Sequence, residues 1–189
     1  MRGDMSERVC PWWLGYLLAS PLRRLTCNPA KLLAPHVREG MTVIEPGPGM
    51  GFFTLELARL VGPSGRVVAL DIQPRMLDRL KKRAAKAGLL ERVDARLVAP
   101  GSMGLTDLAG AVDFALVYAV LHELPSADAF FTEAADALRP GACLLLVEPA
   151  GHVKADKFQA ELKAAAQAGL EVLDRPSVGR SHAALLKKV

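Results

Sequence analysis

From Met41 onward, short apolar runs alternate with longer stretches whose apolar residues recur at helical spacing. Thr42–Glu45, Arg66–Asp71, Asp94–Val98, Val112–Tyr118 and Cys143–Glu148 read as five strands. The runs Val-Val-Ala-Leu, Phe-Ala-Leu-Val and Leu-Leu-Leu-Val inside them are nearly continuous in apolar character. A strand with no polar face is buried on both sides, which implies a parallel sheet covered by helices. The segments between carry helix signals. Gly51–Val61 runs into the stop Gly62-Pro63, and Pro74–Ala87 opens on a proline and ends at Gly88. Ser126 is placed to cap Ala127–Leu138, ahead of Arg139-Pro140-Gly141, and Val153–Ala168 ends at Gly169. Two last β runs, Leu170–Asp174 and His182–Lys187, fit an added hairpin with an antiparallel strand. This βαβα rhythm predicts an α/β fold with an open, doubly wound sheet, which binds ligands at the carboxyl ends of its strands.

Composition narrows the class without naming a chemistry. The 189 residues suit one domain, and 51% hydrophobic against 23% charged residues is a globular balance. The net charge is only +4. The densest basic run, Arg79, Lys81, Lys82, Arg83 and Lys86, shares a helix with Leu77, Leu80 and Ala84 and reads as a solvated face, so no nucleic-acid partner is expected. Cys10, Cys27 and Cys143 are widely spaced, with no zinc-type cluster, so no metal is expected; such usage fits a reducing cytoplasm. Pro11–Ala19 faintly resembles a signal-peptide core, but Asp4 and Glu7 dilute the basic residues before it and no A-x-A site follows. No stretch is long and apolar enough to span a bilayer.

The candidate chemistry sits where the first strand meets the first helix of this alternation. Glu45-Pro46-Gly47-Pro48-Gly49-Met50-Gly51 is a glycine loop of the kind that lets a ligand lie against the main chain. Its glycines read GxGxG, with Phe52 where a dinucleotide-binding GxGxxG would place its third glycine, and there is no GxxxxGK[ST].

An acidic residue followed by GxGxG resembles the first motif of class I methyltransferases dependent on S-adenosylmethionine (SAM), in their small-molecule branch. The resemblance runs from about Val37 to the end. It implies a Rossmann-like, mostly parallel seven-stranded sheet in three αβα layers with an antiparallel C-terminal strand. The SAM-binding domain would be residues 37–189, preceded by an N-terminal helical lid segment at 1–36. It also implies that Glu45, Gly47, Pro48, Gly49 and Gly51 hold SAM, or its product S-adenosylhomocysteine. Asp71, ending the second strand, would take both ribose hydroxyls, Ile72 and Met76 would pack on the adenine, and Tyr118 would line the cofactor site. The loop after the third strand departs from the family. Ala99-Pro100-Gly101-Ser102 lacks the acidic residue that many members offer the adenine amino group, leaving Gly101, Ser102 and the Ser102 hydroxyl for that contact.

The acceptor end is expected after the fourth strand, in Tyr118-Ala119-Val120-Leu121-His122-Glu123-Leu124. The [DNS]PP[YF] motif of nucleic-acid amino methyltransferases is absent there. His122 is either a base or a support of its loop, and Glu123 reads as surface or loop support. Glu148 reads equally as a group for a cationic or hydroxyl substrate and as a hydrogen-bonded strand end. Trp12, Trp13 and Tyr16 fall within about one helical turn near the N-terminus. Three readings stand for them: packing, a lid that completes the substrate site, or contact with a membrane surface.

These readings together point to methyl transfer from SAM to a small-molecule acceptor, with the oligomeric state open. A methyltransferase for protein or RNA working with a partner, and a SAM-binding module without catalysis, are the competing classes. Cys10 and Cys27 also permit thiol or metalloid chemistry. A nicotinamide oxidoreductase is disfavoured by the loop spacing and by the lack of a YxxxK pair.

Overall fold

The computed structural model describes residues 27–189. Seven strands form one sheet: β1 (Thr42–Pro46), β2 (Arg66–Asp71), β3 (Val93–Leu97), β4 (Val112–Tyr118), β5 (Leu138–Pro149), β6 (Leu170–Asp174) and β7 (Ser181–Lys188). Their order across the sheet is β3-β2-β1-β4-β5-β7-β6. The first five pair in parallel, while β7 runs antiparallel to both β5 and β6. The strand order reverses between β1 and β4, which places a crevice at their carboxyl ends.

Among the described residues, five α-helices cover the sheet: α1 (Pro29–Leu33), α2 (Thr54–Leu60), α3 (Pro74–Lys86), α4 (Ala127–Ala137) and α5 (Ala155–Gln167). Alternate residues of each central strand serve opposite faces. Ile44, Ala115, Val117, Leu144 and Leu146 pack with Phe130, Phe131, Phe158 and Leu162, so α4 and α5 close that side. Val43, Phe114, Leu116, Leu145 and Val147 pack with Leu33, Leu57 and Ala84 on the other, under α1, α2 and α3. Both faces are therefore dry, as the continuous apolar runs imply.

The boundaries shift where backbone chemistry overrides periodicity. The helix expected from Gly51 begins at Thr54, because Gly47, Gly49 and Gly51 all have positive φ, at 64°, 54° and 83°. The helix expected to end on Leu138 stops at Ala137, and Leu138 already has extended angles (φ −69°, ψ 137°). Strand β5 thus begins five residues before the expected Cys143, with Leu138 opposite Val112 and a register shift before Cys143 meets Phe114. Strand β3 lies one residue earlier than expected, set by its pairing from Val67–Val93 to Asp71–Leu97. The helix expected from Val153 starts at Ala155, since Lys154 is extended. The caps behave as read: the Ser126 side chain accepts from the Ala129 N–H at 3.1 Å.

Candidate functional site

A cavity of about 740 Å³ opens at the carboxyl ends of β1, β2 and β4. Its floor is the glycine loop, whose three glycines answer to different demands. A Cβ on Gly47 would lie 2.6 Å from a methyl of Val120, and one on Gly51 2.4 Å from Leu80 Cδ1, so both are required by packing. A Cβ on Gly49 would meet nothing within 4 Å. Gly49 lines the cavity, so that open space is part of it. Gly51 itself is not among the cavity-lining residues. The loop is also tied from outside: Arg83 on α3 reaches over and donates to the Met50 carbonyl. Within the basic run read as a solvated face, Arg83 is therefore half-buried and structural, whereas Arg79, Lys81, Lys82 and Lys86 are exposed.

Two carboxylates flank the loop at the strand ends. Glu45 is 3% exposed and its Oε2 has no hydrogen-bond partner. Burial pushes its carboxyl up to about 7, against the lowering by the neighbouring Thr54 hydroxyl and with Asp71 adding to the rise. Asp71 is 8% exposed, and burial raises it to about 6 against the pull of backbone N–H groups from Gln73, Gly49 and Ile72. Its Oδ1 accepts from Gln73 N–H at 2.8 Å. Buried acids left this poorly neutralised are costly, and they concentrate where a ligand supplies what the protein withholds.

The third wall comes from the loop after β3. Gly101 and Ser102 line the cavity as expected, and so does Met103. The Ser102 hydroxyl, however, is engaged within the protein. It donates to Glu133 Oε2 at 3.3 Å and accepts from the Gly104 N–H at 3.2 Å. The same Glu133 oxygen accepts from Met103 N–H at 2.8 Å. A carboxylate missing from the loop sequence is thus delivered to this end of the cavity from α4, 31 residues later. No local spacing could have pointed to it; only the packing of α4 beside the loop does.

The fourth wall follows β4. Ala119 is the one non-glycine with positive φ among the described residues, at 55°, and its N–H is anchored on the Val147 carbonyl at 2.8 Å. A strained residue here turns the chain sharply off the strand and along the cavity rim. Tyr118 stacks obliquely on Phe53, with ring centroids 4.4 Å apart, and Phe53 meets Phe52 edge-on at 5.0 Å. The Tyr118 hydroxyl donates to the Cys27 thiol at 3.8 Å. His122 and Glu123 line the same wall, joined by His152 from the loop after β5 and by Ser181 at the start of β7.

Glu148 does not reach the cavity; of its two readings, its geometry is that of a hydrogen-bonded strand end. It is fully buried, with Oε1 accepting from the N–H groups of Val120 (3.2 Å) and Leu121 (2.9 Å) and Oε2 bonded to His122 Nδ1. Behind it Glu161 is 4% exposed, with one oxygen unpartnered, and burial and then the charge of Glu148 push it up to about 7.

Of the predicted site residues, Glu45, Gly47, Pro48, Gly49, Asp71, Ile72, Met76, Gly101, Ser102, Tyr118 and His122 converge on one cavity. Gly51 and Glu148 support it from behind. Trp12, Trp13, Tyr16 and most of the segment 1–36 lie outside the described residues. Sequence reading missed Phe52, Phe53, Met103, Glu133 and His152 as lining residues. Only the two phenylalanines had a usable signal, their place directly after the glycine loop. Among the described residues there is no cluster of three His, Cys, Asp or Glu groups fit to hold a metal ion, and no helix long and apolar enough to cross a membrane.

Residues 37–177 match a family model described as a methyltransferase domain. The arsenite methyltransferase of Halobacterium salinarum is 31% identical over 117 residues, covering 62% of this chain and 29% of that protein. The ubiquinone/menaquinone biosynthesis C-methyltransferase of Pasteurella multocida is 30% identical over 112 residues, covering 59% and 41%. The chain thus matches less than half the length of either relative. The crystal structure of a SAM-dependent methyltransferase from Aquifex aeolicus superposes with a TM-score of 0.82 at 26% identity, over 100% of both chains.

Proposed function

Because the chain belongs to the class I SAM-dependent methyltransferases, we propose that it binds SAM on the glycine-loop side of the cavity and methylates a small-molecule acceptor on the β4 side. One observation carries this reading: a single cavity joins a glycine whose side-chain space is empty to two buried strand-end carboxylates, Glu45 and Asp71. Glu45 lines the cavity as a buried carboxyl whose charge the protein does not neutralise, and the ammonium of the cofactor's methionine part would supply the cation. Gly49 leaves the room for that part. Asp71, an acceptor-only group once ionised, suits the two ribose hydroxyls. Ile72 and Met76 offer the adenine apolar surface, and Glu133 together with the Gly101 N–H suits its polar edge.

The bound cofactor supplies an activated methyl group on a sulfonium, so the protein's task is alignment. The tight turn at Ala119 and the Phe52, Phe53 and Tyr118 rings shape the space in which an acceptor is held. A recessed cavity of this volume suits a small molecule. Isothermal calorimetry with SAM, S-adenosylhomocysteine and NAD tests the reading. Binding of the first two and not of NAD is expected, and NAD binding without SAM binding would overturn it.

A further inference from the structure

On the cavity wall after β4 stands an imidazole set up to accept a proton. His122 lies in the 3-10 turn Leu121–Glu123 and lines the cavity. Its Nδ1 is bonded to Glu148, which takes two backbone N–H groups on its other oxygen. A carboxylate only accepts, so Nδ1 carries the hydrogen and Nε2 keeps its lone pair. Nε2 has no hydrogen-bond partner among the described residues. A buried carboxylate fixing one nitrogen of an imidazole that lines a cavity, with the other nitrogen left unbonded, is the arrangement that makes histidine a general base.

Resting on the methyltransferase reading above, we propose that His122 is the general base of the transfer and that the acceptor is an aromatic hydroxyl. A base serves only an acceptor that must lose a proton. A phenolic hydroxyl, with a pKa of about 10, is within reach of an imidazole, whereas an aliphatic one near that of water, about 15.7, is not. The stacked Phe53 and Tyr118 rings, with Phe52 against them, offer a flat aromatic ring its complementary surface. In the step, the acceptor O–H bond breaks and its proton passes to Nε2. The oxygen lone pair forms the C–O bond as the methyl–sulfur bond breaks, with that pair remaining on sulfur. The imidazolium then returns its proton to solvent.

The surroundings favour such a base. The hydrogen bond to Glu148 raises His122 above the ordinary imidazole value, against the lowering by burial. Glu123 on its own turn adds to the rise, and Lys157 on α5 opposes it. Glu161 on α5 is near enough to feel its charge, the His152 ring lies 5.3 Å away, and His182 pairs with Glu148 across β7. A neutral histidine is the active form, so kcat rises with pH through this raised value.

The test compares wild type, His122→Asn and Glu148→Gln with phenol, catechol and 4-nitrophenol as acceptors at pH 8, reading S-adenosylhomocysteine formation. In His122→Asn, kcat should fall by about 10²- to 10⁴-fold for phenol and catechol. It should fall far less for 4-nitrophenol, which is already ionised at that pH. Equal losses for all three would make His122 a loop support. No turnover of any of them by the wild type would overturn the acceptor class. NMR titration of the ligand-free protein gives an independent reading: the His122 resonances, assigned by their absence from His122→Asn, should titrate above the free-imidazole range, and a value below it overturns the proposal. If Glu148→Gln folds, its kcat limb and its His122 titration should both move to lower pH. Calorimetry with S-adenosylhomocysteine separates the two readings. Retained binding in His122→Asn leaves the methyltransferase reading standing whatever the acceptor result, and absent binding in the wild type removes that reading itself.

Discussion

Replacing Glu45 with glutamine should make the ligand-free protein more stable at neutral pH while weakening its hold on SAM. Glu45 is raised from an ordinary 4.5 to about 7, chiefly by burial. The sign follows from proton counting. Between pH 4.5 and 7 the folded chain keeps a proton on Glu45 that the unfolded chain has lost, so stability falls as pH rises through that window. At about 1.4 kcal/mol per pH unit, the span amounts to about 3 kcal/mol by pH 8. Glutamine has nearly the same shape and no charge, so Glu45→Gln escapes this loss. Its own amide also needs partners in a buried place, which makes 3 kcal/mol an upper figure. Urea denaturation of the ligand-free proteins from pH 4 to pH 8 reads the difference directly. The two should nearly coincide at pH 4 and diverge in favour of the variant toward pH 8. Saturating S-adenosylhomocysteine should stabilise the wild type by mass action and the variant much less. A stability difference independent of pH, or undiminished ligand affinity in the variant, would refute the assignment of Glu45 as a buried charge reserved for a cationic ligand.

Three other substitutions test the cavity. Asp71→Ala should weaken SAM binding by about 1–3 kcal/mol, the range for lost hydrogen bonds to a charged group, with the fold intact by circular dichroism; unchanged calorimetric affinity would show that the ribose is held elsewhere. Gly49→Val should abolish SAM binding, because φ is 54° and the new side chain would project into open cavity; normal affinity would mean that no ligand approaches the loop there. Gly51→Ala should lower stability through its 2.4 Å approach to Leu80 and its φ of 83°, and a thermal midpoint equal to wild type would show that the loop and α3 give way freely. Asp71 carries a pH effect on binding as well: held up near 6, it should lose affinity for SAM as pH falls below 6 and the carboxylate is neutralised.

How much of this was legible in the chain depended on how local each determinant is. The alternation of strands and helices was, because a strand buried on both faces needs a run such as Val-Val-Ala-Leu and a helix needs a 3.6-residue stripe. The glycine loop and Asp71 were legible because a turn from strand to helix, and the end of the next strand, lie at fixed offsets along the sequence. Proline, glycine and serine marked several helix ends for the same reason, although positive φ at Gly51 and the extended Leu138 moved two of them. What required tertiary structure is what joins distant segments. Glu133 reaches the loop after β3 from 31 residues away, Arg83 clasps Met50 across 33, and Glu148 holds His122 across 26. Residues of those types are commonplace on exposed faces, and nothing in their own neighbourhood distinguishes them. Glu148 and Glu45 make the contrast plain. Each ends a strand, and both are buried, but only the fold decides that one spends its oxygens on backbone N–H groups and an imidazole while the other stands at the cavity with no cation beside it. Charge and burial are properties of the assembled surroundings, so the role of a strand-end carboxylate is settled only when the neighbouring loops have closed around it.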